Sequence, residues 1–431
     1  MAEKLSMQPY KGTRDFYPQE MKLRNWFFGV IRKELENAAF DEYNGPMLES
    51  LDLYAAKSGE EIANEQTYNF TDRGERRLAI RPEMTPTVAR MVAGKMGTLN
   101  FPLKWFSIPN MYRYERPQRG RLREFWQINV DIFGCDGFEA DLECIASAIN
   151  ILRAYGADAS MFTVHINNRR FFNDVISAIA GTDTEGSRKI SKVIDKKNKI
   201  PRDAYERELT ELGMSAEQIA RVDALYTMNV YEATDICPDS VGSQELRQLF
   251  DALRKSGMDQ YCVFDFGIIR GLDYYTGTVF EVFDNAPENN RAMFGGGRYD
   301  NLVGLFVKNA KISGVGYGMG DVTLENFLFT HKLVPETFGS GVKVLVTKFD
   351  DVPYEAYLAL VDKLRDAGIV TSIYLGTKKF GKQIDFAVKD SYSHIVVMGG
   401  DEHARGVIKL KNLSTRDEQE LTVEDAIALL K

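Results

Sequence analysis

KWFSIPNMYRYERPQRGRLREFWQINVDIFG, residues 104–134, decides how the rest of the chain is read. Its second half alternates strictly. Phe125, Gln127, Asn129 and Asp131 fall on one face of an extended strand, and Trp126, Ile128, Val130 and Ile132 on the other. The aliphatic face would pack on helices, so the opposite face must account for two amides and a carboxylate in line with a bulky ring. A solvated sheet face is the plain reading. A ligand floor, one stacking surface with several hydrogen-bonding groups, is the sharper one. Before it, RYERPQRGR crowds Arg113, Arg116, Arg119 and Arg121 into nine residues, with Arg123 just beyond. Pro117 and Gly120 would fold this run into a hairpin that brings its arginines to the polar floor. Arginine forks suit phosphates because they stay charged and donate paired hydrogen bonds. A nucleotide or nucleic-acid phosphate is therefore expected there, with a merely soluble loop as the alternative.

Outward from this stretch, the 431 residues imply about two to four domains. An apolar content of 44% with 27% charged residues argues against disorder and fibrous architectures. No apolar run approaches the length of a bilayer span, and the start lacks a basic-then-apolar secretory pattern, so a soluble, cytoplasmic protein without a membrane partner is expected. Cys135, Cys144, Cys237 and Cys262 show no C-x-x-C spacing, and His165, His331, His394 and His403 are dispersed, which argues against zinc sites and disulfide scaffolds. A net charge of −8 speaks against indiscriminate nucleic-acid coating, though not against a local basic surface.

Asp15 to Asn44 reads as an entry turn and a long helix closed by Gly45-Pro46. Short strand patterns follow from Leu78 to Phe133, and a helix from Phe138 to Tyr155. Roughly Arg169 to Asn229 is helical with its own apolar cores. Strands return at Tyr261–Ile268, Thr278–Phe283 and Ser313–Met319. Segregated strands and helices predict an α+β fold, an antiparallel sheet flanked by helices. After a linker at 334–341, strands at Val342–Thr347, Val370–Tyr374, His394–Met398 and Val407–Leu410 alternate with helices, which predicts a separate small α/β domain.

Three further segments carry chemistry. LAIRPEMTPTVARM sets Arg81, Glu83 and Thr85 at a strand-to-helix junction, with Pro86 suited to an early helical position. IIRGLDYYTGTVFE gathers Arg270, Asp273, Tyr274 and Tyr275 around a turn. In GVGYGMGDVTLENFL, Gly314, Gly316, Gly318 and Gly320 share one strand face. Glycines weaken a strand, so either something flat or bulky approaches them or a helix packs tightly there.

Taken together, Arg81-Pro82-Glu83, the block from Arg113 to Gly134, Arg270-Gly271-Leu272-Asp273-Tyr274-Tyr275 and Gly295-Gly296-Gly297-Arg298-Tyr299-Asp300 resemble histidyl-tRNA synthetases, class II aminoacyl-tRNA synthetases. The opening KGTRDFYPQE is similar to that family's first motif region, and the segment from Lys343 to its anticodon-binding domain. The resemblance implies a catalytic domain at 1–333 with a helical insertion at about 170–235, a C-terminal α/β anticodon-binding domain at 342–431, and a homodimer. It implies the substrates L-histidine, ATP and tRNA(His), Mg²⁺ with the ATP, and no prosthetic group. By the same resemblance Arg113 and Arg270 would be catalytic, contacting the α-phosphate and carboxylate region. Histidine would be held by Glu83, Thr85, Gln127, Asp131, Arg270, Tyr274 and Tyr275. ATP would meet Arg113, Arg121, Phe125, Gly318 and Gly320, and the tRNA acceptor end would meet Arg116, Gln118 and Arg119.

The third class II motif departs from the family. Its usual Gly-Leu-Glu-Arg is replaced by Gly320-Asp321-Val322-Thr323, so the arginine expected over adenine and the γ-phosphate is missing. Arg121, Arg123 and Mg²⁺ are the expected substitutes, with Asp321 as a water-mediated Mg²⁺ holder. A non-catalytic paralogue, the regulatory subunit of ATP phosphoribosyltransferase, is the alternative function. The basic run Arg188, Lys189, Lys192, Lys196, Lys197, Lys199 and Arg202 is read as a tRNA backbone contact or, equally, a solvated helix face.

Overall fold

Glu124–Phe133 is one ten-residue strand, and its alternation sets the two sides of the molecule. The computed structural model describes residues 5–55, 66–194, 196–197, 200–268, 275–289, 291–338 and 342–431. The described strands up to residue 334 are β1 (Asp41–Glu42), β2 (Leu48–Ser50), β3 (Asn69–Thr71), β4 (Arg77–Ile80), β5 (Leu103–Ser107) and β6 (Asn110–Tyr112). They continue with β7 (Glu124–Phe133), β8 (Phe162–Asn168), β9 (Cys262–Phe264), β10 (Thr278–Asp284), β11 (Ala292–Tyr299) and β12 (Gly314–Gly320). Among these, nine form one sheet in the order β1-β5-β7-β12-β11-β10-β8-β9, with β6 also paired to β7. Its pairings are antiparallel except β1–β5 and β8–β9. The fold is therefore the predicted antiparallel sheet flanked by helices.

The aliphatic side of β7 lies where the alternation puts it. Ile128, Val130 and Ile132 are buried against Phe27, Ile31 and Leu35 of helix Pro18–Asn37 and against Cys144, Ile145 and Leu152 of helix Phe138–Ala154. The first helix ends at Asn37, seven residues before the expected limit, and β1 follows; Gly45 instead packs on Thr87 and Met84. β11 was not expected as a strand, because Gly295-Gly296-Gly297 hides its alternation. The helices from Arg169 to Thr234 have no separate core. Val175, Ile179, Leu209, Ile219 and Val222 belong to the same buried cluster as the main sheet.

Residues 335–431 form a second compact unit. Its sheet, ordered β14-β13-β15-β16-β17, comprises β13 (Lys343–Val346), β14 (Val370–Ile373), β15 (His394–Val397), β16 (Ile408–Asn412) and β17 (Glu418–Leu421). β13 is parallel to β14 and β15, and the remaining pairs are antiparallel. β17 is a polar, largely exposed edge, which is why hydrophobic pattern missed it.

Arg298 explains the arginine of the Gly-Gly-Gly-Arg-Tyr-Asp segment. It is 2% exposed, bonds both oxygens of Asp141 (2.9–3.2 Å), and donates to the carbonyls of Cys135 and Gly137 at 2.9 and 2.8 Å. It therefore ties β11 to the start of helix Phe138–Ala154 and is unavailable to a ligand. Arg298→Ala would leave Asp141 as a buried uncompensated charge, at a cost of about 3–5 kcal/mol. Arg32→Ala, which breaks the half-exposed pair with Glu42, should cost roughly 0–1 kcal/mol. Urea unfolding of the two variants checks this contrast.

Candidate active site

The polar face of β7 is built on glycine. β12 runs antiparallel to it, with Asp131 opposite Gly316 and Asn129 opposite Gly318. A Cβ at Gly316 would overlap Asp131 Oδ1, one at Gly318 would overlap the Gln127 amide, and one at Gly314 would overlap the Tyr299 ring. The flat groups expected over the glycines are thus side chains of the sheet itself, and the helix-packing alternative does not apply.

Above this face lies a cavity of about 100 Å³. Glu83 and Thr85 enter it from the junction between β4 and helix Thr85–Lys95, whose second residue is Pro86. Gln127, Asn129 and Asp131 rise from β7, Arg113 comes from the hairpin, and Tyr275 closes a side. Arg81 does not enter. It is buried and donates to the carbonyls of Asn110 and Gly45, both at 2.8 Å. Arg270 and Tyr274 lie outside the described residues. Asp131 is 3% exposed; burial pushes its carboxyl up to about 7, against the hydroxyls of Tyr299 and Tyr43, which lower it. Tyr299 donates to Oδ1. Burial, and next the neighbouring Asp131, holds the Tyr43 phenol well above its ordinary value, so it stays a neutral donor. Tyr299 was legible in its motif as a residue but not as a partner of Asp131; no local pattern marks Tyr43.

A second cavity, about 220 Å³, adjoins the first through Arg113, Gln127 and Gly318. Phe125, Arg121, Gly320 and Thr323 line it. The Arg113 guanidinium stands 5.3 Å from the centre of the Phe125 ring, and its Nε donates to the Pro82 carbonyl at 2.9 Å. The hairpin forms as predicted: Gln118 and Arg121 pair across a turn in which Gly120 has φ +78°. Gln118 and Arg119 border a third, larger cavity of about 910 Å³, whereas Arg116 is exposed and lines none of the three.

Two expected substitutes for the third-motif arginine are corrected. Asp321 is 1% exposed and lines none of the three cavities. One oxygen accepts from Arg14 (2.8 Å) and Arg24 (3.1 Å), and the other from the backbone N–H of Trp126 (3.0 Å). With both oxygens engaged by these donors, Asp321 is not placed to hold Mg²⁺. Arg123 donates to the Glu115 carbonyl and the Tyr10 hydroxyl and stacks on Tyr114, so it braces the hairpin. The basic run of 188–202 is also largely answered. Lys196 pairs with Glu208, Lys197 with Asp223, and Arg202 with Glu206 and Asp223, which favours a structural helix face. Lys199 lies outside the described residues.

Residues 12–321 match the model of the family described as "Histidyl-tRNA synthetase", and residues 342–431 match "Anticodon binding domain". The chain belongs to the histidyl-tRNA synthetase family. A "Histidine--tRNA ligase" of Leptospira biflexa is 41% identical over 435 residues, covering 100% of this chain and 98% of the relative. The fold is shared with the crystal structure of a histidyl-tRNA synthetase from Nostoc (TM-score 0.82, 24% identity, 99% of each chain). It is also shared with an "ATP phosphoribosyltransferase regulatory subunit/histidyl-tRNA synthetase" from Bacillus halodurans (TM-score 0.75, 22% identity, 92% of this chain and 99% of that one).

Within this histidyl-tRNA synthetase fold, Asp131 sets a pH signature. Its folded value near 7 stands above the ordinary 3.8, so the fold disfavours its charged form. Its part in stability is intact below about pH 4, declines as pH rises towards 7, and then stays lost. The loss amounts to about 4 kcal/mol at most. Asp131→Asn keeps an acceptor for Tyr299 without the charge. It should unfold later than the parent at pH 8 and almost together with it at pH 4. Equal gains at both values in thermal melts would remove this account.

Proposed function

We propose that this protein is an enzyme that activates L-histidine with ATP, giving histidyl-adenylate and pyrophosphate, and then transfers the histidyl group to a hydroxyl of the terminal adenosine of tRNA(His), releasing AMP. The observation that carries the reading is Arg113. It borders both the small polar cavity and the cavity floored by Phe125, where a carboxylate in one would meet an α-phosphate in the other. Charge builds on the phosphoryl oxygens during attack, and a fixed guanidinium there stabilises it without reorganising.

In this reading Asp131 and Tyr275 meet the imidazole, and Glu83, Thr85 and Gln127 hold the amino end. Phe125 stacks on adenine, and Gly318 and Gly320 line the cavity that receives it. Arg270 and Tyr274 join them as the family resemblance implies, and Gln118, Arg119 and Arg116 serve the tRNA acceptor end. Mg²⁺ would travel with the ATP, held chiefly by phosphate oxygens, which needs only one or two protein carboxylates; Glu115 borders the Phe125 cavity. Residues 1–333 act as a class II catalytic domain, 334–341 as a linker, and 342–431 as the tRNA anticodon reader.

A cytoplasmic location agrees with the absence, among the described residues, of any helix long and apolar enough to cross a membrane. A homodimer is supported by exposed Met47 and Leu48 beside Pro46 and by an apolar hollow of about 310 Å³ bordered by Leu53, Pro86, Leu305 and Phe306. Sedimentation equilibrium should give about twice the 48.8 kDa chain mass; an active species at the single-chain mass excludes the dimer.

The missing third-motif arginine favours the regulatory paralogue as a second reading, and one assay separates the two. Purified protein should exchange pyrophosphate into ATP only when histidine is present. Arg113→Ala should reduce that exchange about 10²–10³-fold, roughly 3–4 kcal/mol. A wild-type protein inactive across a Mg²⁺ titration would point to the paralogue.

A further inference from the structure

Thr323 stands where the family's third-motif arginine is expected, and its hydroxyl is spent on the carbonyls of Met293 (2.7 Å) and Gly320 (3.2 Å). It gives a bound triphosphate no charge. Asp321 and Arg123 are committed elsewhere, as described above. Arg121 remains, more than half exposed at the edge of the Phe125 cavity, but Glu115 stands 3.6 Å from its guanidinium and answers part of its charge.

A further cation borders the same space. Arg291 lines the 910 Å³ cavity together with Arg121, Ala292, Met293 and Thr323, all of which except Arg291 also line the Phe125 cavity. It directly precedes β11 and stands two residues before Met293, whose carbonyl Thr323 grips, so the helix start and the strand end carrying Arg291 are locked together. Arg291 is exposed and makes no ion pair among the described residues. Four carboxylates border this cavity; Asp265 is held by His165 and Asp284 by His331, each at 2.8 Å, while Glu281 and Glu288 lie along the same wall without taking Arg291 into an ion pair among the described residues. The cavity wall next to Thr323 thus offers an uncommitted guanidinium on a flexible stem, suited to forked contact with phosphate oxygens.

We infer that Arg291, with Arg121, covers the outer phosphates of ATP in place of the arginine that Thr323 replaces. The inference rests on the proposed ATP-dependent activation. Losing one charge-assisted contact of this kind corresponds to about 10- to 100-fold in apparent affinity. In histidine-dependent pyrophosphate exchange by the full chain, Arg291→Ala should raise the ATP KM by about tenfold or more, and the histidine KM should not move. Arg291→Lys should recover part of the loss, and adding Thr323→Arg to Arg291→Ala should recover more by returning a cation to the adjoining helix start. Because Arg291 is exposed, its variants should melt with the parent. An unchanged ATP KM in Arg291→Ala, or an equal rise in both KM values, overturns the assignment while the enzymatic reading stands. Absence of exchange in the wild-type protein overturns both.

Discussion

Polar side chains on β7 can lie flat only because β12 offers them no Cβ atoms. Asp131 occupies the space over Gly316, Gln127 that over Gly318, and Tyr299 that over Gly314. The opposite face of β7 has its aliphatic residues locked into the helices, so the strand cannot rotate or slip without burying a carboxylate in the core and exposing Ile128, Val130 and Ile132. The register of one strand pair therefore fixes the core and the site at once. Glycine in the middle of a sheet costs about 0.5–1 kcal/mol each relative to alanine; here that cost is offset by the packing of the residues that replace the missing side chains.

The same economy appears at the start of helix Asp321–Thr330. Asp321 is buried, yet each oxygen has a donor: Arg14 and Arg24 on one, the Trp126 N–H on the other. Arg24 is in turn sandwiched, with its guanidinium 4.0 Å from the Phe16 ring and 4.1 Å from that of Trp126. A carboxylate in the third motif thereby anchors the amino-terminal segment and the strand bearing Phe125 and Gln127. Breaking this cluster would strand charges in a low-dielectric setting, so Asp321 belongs to the frame of the site rather than to its ligand surface.

Sequence made the architecture and most of the site legible where the signal was periodic or carried by a dense motif. Alternation from Phe125 to Ile132 gave both faces of β7, and the proline–glycine pattern around Arg119 gave the hairpin. Signals failed where side chains choose partners across long separations. Arg123 reads as one of five equivalent arginines, and only the fold turns it to Tyr10 and Tyr114. Asp321 reads as an acid near phosphates, but two arginines some three hundred residues away claim it. The cationic run of 188–202 reads as free because Glu208 and Asp223, which answer Lys196, Lys197 and Arg202, lie outside it in sequence. β11 escaped because three successive glycines carry no hydrophobic pattern at all.

A carboxyl poised near 7 inside a cavity is also a reservoir of protons. With its value raised to about 7, Asp131 stands near the midpoint between acid and anion at neutral pH. A ligand that donates an N–H to it selects the anion and drives the remaining protons into solution. Association would then carry a fractional proton stoichiometry, and the heat measured in a calorimeter would depend on the ionisation enthalpy of the buffer.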